Sequence, residues 1–99
     1  MVKTLAALSS PHRLRIMAAL IRNGRQYVSE LARAVGMSRP LLYLHLEKLE
    51  GAGLVEGELS LSADGKALKW FEARDFELIL TPETIAAAAD LVNTKDNDC

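Results

Sequence analysis

The segment from Val28 to Val55, VSELARAVGMSRPLLYLHLEKLEGAGLV, decides the fold. Ser29 is a favourable helix start, and Leu31, Ala32 and Val35 then share one helical face. Gly36 stands where this helix must turn sharply, in a left-handed conformation that strains other residues. Met37 is placed to plug the space between two helices. Ser38 offers a second cap, and Pro40 suits a first helical turn. Leu42, His45, Leu46 and Leu49 then recur at helical spacing, and Gly51 with Gly53 ends the run. A short helix over 29–35, a tight turn, a longer helix over 39–50 and a strand from Leu54 make a helix-turn-helix running into a wing. Such a unit holds its second helix out from the body, where it fits a DNA major groove.

The flanks extend this pattern. Residues 2–8 read as a short apolar helix. Ser10 and Pro11 open another, over 11–22, with Leu14, Met17 and Ile21 as its inward stripe, widened by Ile16 and Leu20. Arg13, Arg15 and Arg22 lie off that stripe, and Asn23-Gly24 stops the helix. Gln26 to Val28 is short enough for a brief strand. Leu54–Leu61 and Ala67–Ala73 read as strands joined at Ser62-Ala-Asp-Gly65, with Asp64-Gly65 the turn signal. Trp70 and Phe71, as strand neighbours, face opposite sides: one is core, the other covers the hairpin or joins a dimer contact. Phe76, Leu78 and Leu80 extend the alternation to residue 80. Thr81 caps an Ala-rich helix over 82–93, with Pro82 in its first turn and Glu83 favourable to its dipole. The expected architecture is mainly α with a β-hairpin wing (α+β), one winged helix-turn-helix domain over 1–93, a C-terminal dimerisation helix, and a disordered polar tail over 94–99.

Composition sharpens the class. The 99 residues are 49% hydrophobic and 25% charged, as in a soluble single domain. No apolar run reaches the roughly 18 residues of a membrane span. The N-terminal residues lack the basic-plus-apolar pattern of a secretion signal, and Cys99 is the single cysteine, so a reducing cytoplasmic setting is expected. The net charge of −1 hides an asymmetry: residues 1–48 carry +6 and residues 49–99 carry −7. The basic half contains the helix-turn-helix, where phosphate contacts are needed. No nucleophile–base pair, phosphate loop or metal cluster is visible, which speaks against an enzyme and against a bound cofactor.

The ordered pattern resembles the ArsR-type winged helix-turn-helix transcriptional regulators, in their archaeal-like branch. The resemblance spans about residues 4–93. It rests on Leu8-Ser-Ser-Pro-His-Arg-Leu-Arg-Ile16, Glu30-Leu-Ala32, Val35-Gly36, Ser38, His45-Leu46, Leu49 and Gly53-Leu-Val55. It implies a homodimer that binds double-stranded DNA, commonly as a repressor released by a signal. It also sets a departure. Metal-sensing members carry a Cys-x-Cys pair in the helix before the turn or His/Asp ligands in the last helix. Residues 29–35 hold no Cys or His, and the last helix offers Glu83 and Asp90 but no His. No metal site is expected, and a small-molecule effector is unspecified.

Within this frame, the helix over 39–50 reads the major groove. Arg39 is the base reader, because a guanidinium bonds guanine O6 and N7 together. Ser38 and the neighbouring N–H groups suit a phosphate. Pro40, Tyr43 and Leu44 share the outward face, and Tyr43 reaches a phosphate or a thymine methyl. Leu41 and Leu44 admit three readings: extra core, thymine contact, or a surface for a protein partner. His45 reads as a hydrogen-bonded structural histidine. Lys66 follows the wing tip and reaches phosphate or minor groove, with Lys69 and Arg74 further along. Glu56, Glu58 and Asp64 weaken the wing, so affinity rests on Arg13, Arg33 and Lys48. Leu5, Leu8, Ile85, Ala88, Ala89 and Val92 form the expected dimer seam. The alternative function is a winged-helix protein–protein interaction module without direct DNA readout.

Overall fold

A computed structural model describes residues 1–92 of the chain; the polar tail lies outside the described residues. The elements run α1 (Val2–Leu8), α2 (Pro11–Asn23), β1 (Gln26–Tyr27), α3 (Val28–Val35), α4 (Arg39–Gly51), β2 (Val55–Leu61), β3 (Ala67–Ala73) and α5 (Pro82–Leu91). The sheet is antiparallel in the order β1-β3-β2, with Gln26 opposite Phe71 and Val55 opposite Ala73. The mainly α architecture with a hairpin wing is as expected. No helix among the described residues is long and apolar enough to cross a membrane.

Local chemistry explains the helix ends. Ser10 Oγ accepts from Arg13 N–H at 3.3 Å, and Pro11 occupies the first turn, where no N–H is required. Gly36 closes α3 with φ 67° and ψ 44°, the left-handed geometry that turns the chain into α4. The start of α3 differs from the expectation at Ser29. Strand β1 feeds directly into the helix, so Tyr27 is the cap, and Glu30 Oε1 accepts its N–H at 3.1 Å.

The core sits where α2, α3 and α4 meet the base of the sheet. Leu31, Leu42, Leu46, Leu49, Ile16, Leu20, Leu54, Val55 and Phe71 are its fully enclosed side chains. Each contributes about 1.5–3 kcal/mol by leaving water. Helix α2 is turned relative to the expectation. Ile16, Met17 and Leu20 are buried, whereas Leu14 and Ile21 are 53% and 62% exposed. The apolar stripe was wide enough to allow either face. The half-buried Arg13, bonded to α1, sits in line with the buried Ile16 and Leu20. Gln26, the buried polar residue of the described core, donates from Nε2 to Ala19 O at 3.2 Å.

The expected extension of the strand to residue 80 does not form. Strand β3 is the central strand and ends at Ala73, opposite Val55, where β2 begins; Arg74 N–H makes one further bond, to Leu54 O at 2.9 Å, and the chain then leaves the sheet. Residues 74–81 cross to α5 as irregular backbone, leaving Phe76, Ile79 and Leu80 exposed. Trp70 covers the hairpin. It stacks on Tyr27 with ring centroids 3.7 Å apart, donates to Ser60 Oγ, and carries the Arg25 guanidinium 4.1 Å above its ring.

Candidate nucleic-acid interface

Helix α4 is amphipathic in a way that fixes its presentation. Leu42, Leu46 and Leu49 are buried, and the opposite side, with Pro40, Leu44, Glu47 and Gly51, is exposed. Leu44 is 61% and Leu41 43% exposed, so neither serves as core. Pro40 occupies the first turn, as expected. Ser38 caps the helix by accepting Leu41 N–H at 3.4 Å, which leaves its hydroxyl proton for a phosphate.

The expected contact residues fall into three groups. Arg33, Ser38 and Arg39 line one open depression of about 660 Å³ at the turn between α3 and α4. Two guanidinium-bearing residues and a helix N-terminus there suit an anion. Tyr43 stands on the wing side, in a recess of about 210 Å³ shared with Glu47, Glu50, Lys69 and Phe71. Lys48 lies apart, facing α1 beside Lys3, Ala6 and Ala7. Lys66 is exposed at the wing tip, where its N–H bonds Ser62 Oγ at 3.1 Å and Gly65 turns the chain with φ 83°.

Two assignments change. Arg13 is not a free cation for DNA. Its Nε and Nη2 donate to Ala7 O and Ala6 O, and its Nη1 lies 3.1 Å from His45 Nδ1. Arg15 is likewise engaged, donating to Val35 O at 2.6 Å, the carbonyl end of α3. Both stood off the expected stripe of α2, and a sequence does not show which arginines turn back onto helix ends. Lys69 gains weight instead. Gly57 lies opposite Phe71, and a Cβ there would fall 2.8 Å from Phe71 Cε1 and 3.1 Å from Lys69 Cε. The missing side chain lets the lysine stem lie across the strand, with Nζ 5.4 Å from the Phe71 ring centroid. Lys69 thereby stands between wing and α4. A glycine inside a strand was the available signal.

The wing's other face is acidic. Glu56 and Glu72 are direct cross-strand neighbours, and the exposed pairs Arg74–Glu56 at 3.6 Å and Arg25–Glu58 at 3.9 Å partly offset them. His45 is half-buried, and desolvation, followed by Arg13, His12 and Lys48, holds its imidazole below the ordinary value. Among the described residues no cluster of His, Cys, Asp or Glu is arranged to hold a metal ion.

Comparison with known proteins agrees with this geometry. The family model described as "Helix-turn-helix domain" matches residues 8–58. An uncharacterized HTH-type transcriptional regulator of Methanocaldococcus jannaschii is 38% identical over 84 residues, covering 85% of this chain and 86% of the relative. The crystal structure of the transcriptional repressor BigR from Xylella fastidiosa superposes with a TM-score of 0.59 at 26% identity, covering 91% of this chain and 76% of that one. A homodimeric winged helix-turn-helix DNA-binding domain from Mycobacterium bovis, a possible ArsR-family regulator, superposes with a TM-score of 0.60 at 23% identity, covering 91% and 71%. The chain belongs to the helix-turn-helix DNA-binding transcriptional regulators, and its fold is the winged helix-turn-helix that the possible ArsR-family domain shares.

Proposed function

We propose that the chain works as a homodimeric repressor that reads two half-sites of duplex DNA with its two α4 helices. The observation that carries this is the pairing of an exposed α4 face with an unpartnered α5. Helix α5 has no buried residue, and Ile85 and Leu91 are 54% and 86% exposed. Ala88 and Val92, half-buried, border an apolar groove of about 540 Å³ with Met1 and Val2 of the N-terminus. A second copy's α1 and α5 are the occupant that this seam of small residues fits. Leu5 is half-buried, Ala89 is exposed, and Leu8 packs on the core of its own domain. The homodimeric Mycobacterium bovis domain supports the reading.

In the complex, Arg39 reads a base, while Ser38, Arg33, Tyr43, Lys66 and Lys69 hold phosphates. Lys48, beside α1, acts through the general field. The two α4 helices of a dimer then reach successive major grooves about 34 Å apart. Mobility-shift titration against random duplex tests the reading. Retention that falls steeply as salt rises is expected, because each neutralised phosphate releases counterions. No retention at low ionic strength would mean that the exposed leucines of α4 serve a protein partner instead.

A further inference from the structure

Three helices meet at one side chain. Arg13, on α2, donates to two carbonyls in the last turn of α1, Ala6 O and Ala7 O, and its third arm reaches His45 Nδ1 on α4 at 3.1 Å. A guanidinium has no acceptor and keeps its charge throughout the physiological range. The His45 Nδ1 atom must therefore present a lone pair, which fixes the neutral Nε2–H tautomer. A protonated imidazole has no lone pair at either nitrogen, so the contact turns from a hydrogen bond into two facing cations.

The surroundings offer no relief. The groups that act on His45 are Arg13 and His12 from α2 and Lys48 from its own helix, and each disfavours its protonated form. The His12 ring lies 5.6 Å from that of His45. Helix α1 brings the Ala6 and Ala7 carbonyls, which accept from Arg13, and Lys3, which lines a recess with Glu47 and Lys48 of α4. Helix α3 and strand β2, which also pack on α4, contribute no charge to it.

We propose that Arg13 is the positioning residue that holds the DNA-reading helix α4 in register with α1, and that it does so only while His45 is neutral, so that acid releases DNA. The proposal rests on the DNA reading above. It predicts a sign opposite to simple electrostatics, in which an added positive charge tightens binding to a polyanion.

The test is duplex affinity at constant ionic strength, at pH 7.5 and pH 5.5, for the wild-type chain, His45→Asn and His12→Gln. The Asn amide oxygen replaces the Nδ1 acceptor and does not titrate. Wild type and His12→Gln should bind about three- to fivefold more weakly at the lower pH, because one pK unit between released and bound states gives its full tenfold only well below both values. His45→Asn should hold its affinity at both. Wild-type affinity that is flat or rises on acidification overturns the proposal, as does an equal fall in His45→Asn. Imidazole nitrogen NMR at pH 7.5 adds a readout free of DNA: an Nδ1–H tautomer at His45 refutes the contact. Absence of any duplex binding at pH 7.5 refutes the DNA reading itself and with it the release by acid.

Discussion

Helices α4 and α5 begin alike and end in opposite circumstances. Each has a hydroxyl cap in extended conformation, Ser38 or Thr81, and each has proline in its first turn. Thr81 adds a reciprocal bond, its Oγ1 accepting Thr84 N–H at 3.0 Å while Thr84 Oγ1 accepts Thr81 N–H at 2.9 Å. Yet α4 buries three leucines and α5 buries nothing. The difference lies in the faces. Leu42, Leu46 and Leu49 fill a pocket made by their own chain. The run Ala86–Ala89 offers little area to any one neighbour, and suits close approach by another helix. Caps decide where a helix starts; side-chain volume along the stripe decides whether its partner is internal or external.

The largest expected effect comes from cutting into the internal side of this contrast. Leu46→Ala should cost about 2–5 kcal/mol, read as a lower denaturation midpoint, because the leucine is 1% exposed and its cavity cannot be refilled. Ile85→Ala should leave unfolding of the dilute monomer within about 0.5 kcal/mol of wild type, as expected for an exposed site. If Ile85→Ala were as costly as Leu46→Ala in dilute monomer, α5 would have to be packed within its own chain.

The external side is tested by charge. Ala88→Glu should move the sedimenting species from dimer to monomer, because a carboxylate in a helix–helix seam loses its hydration without a partner. An unchanged sedimentation profile would exclude α5 as the seam. At the turn that presents α4, Gly36→Ala should cost about 1–2 kcal/mol, the strain of an L side chain at φ 67°. Equal midpoints for Gly36→Ala and wild type would show that the turn relaxes freely.

The smallest effect is in pH. Folding holds His45 below its ordinary imidazole value, so the unfolded chain takes up the proton first as pH falls. Its contribution to stability is whole above about pH 6.5 and declines below it, through the lower value of the folded state. The wild-type midpoint should therefore drop with acid more than that of His45→Asn. Parallel profiles would remove the imidazole from the account.

Much of this was legible in the sequence because it is local. The spacing of Leu42, Leu46 and Leu49, the caps at Ser10, Ser38 and Thr81, and the turn glycines each act within a few residues. What escaped depends on distant partners. The wide apolar stripe allowed two faces of α2, and the one that is buried, Ile16, Met17 and Leu20, also brings Arg13 to α1 and His45. Phe76–Leu80 alternates like a strand, but β2 starts only at Val55, opposite Ala73, so the residues after Arg74 run past the edge of the ladder. Of the candidate contacts, Arg33, Ser38 and Arg39 were placed together by the motif's own geometry. Lys69 needed the cross-strand pairing that brings Gly57 against Phe71.

The most direct test of the central claim, that α4 reads bases while the wing holds the backbone, is a base-by-base binding profile on duplex selected from the host genome. Arg39→Ala should relax preference at one base position per half-site, a loss of about 1–3 kcal/mol in discrimination. Lys66→Ala should weaken all sequences alike and reduce the salt slope by about one. Equal loss of base preference in the two variants would contradict the assignment of reading to α4.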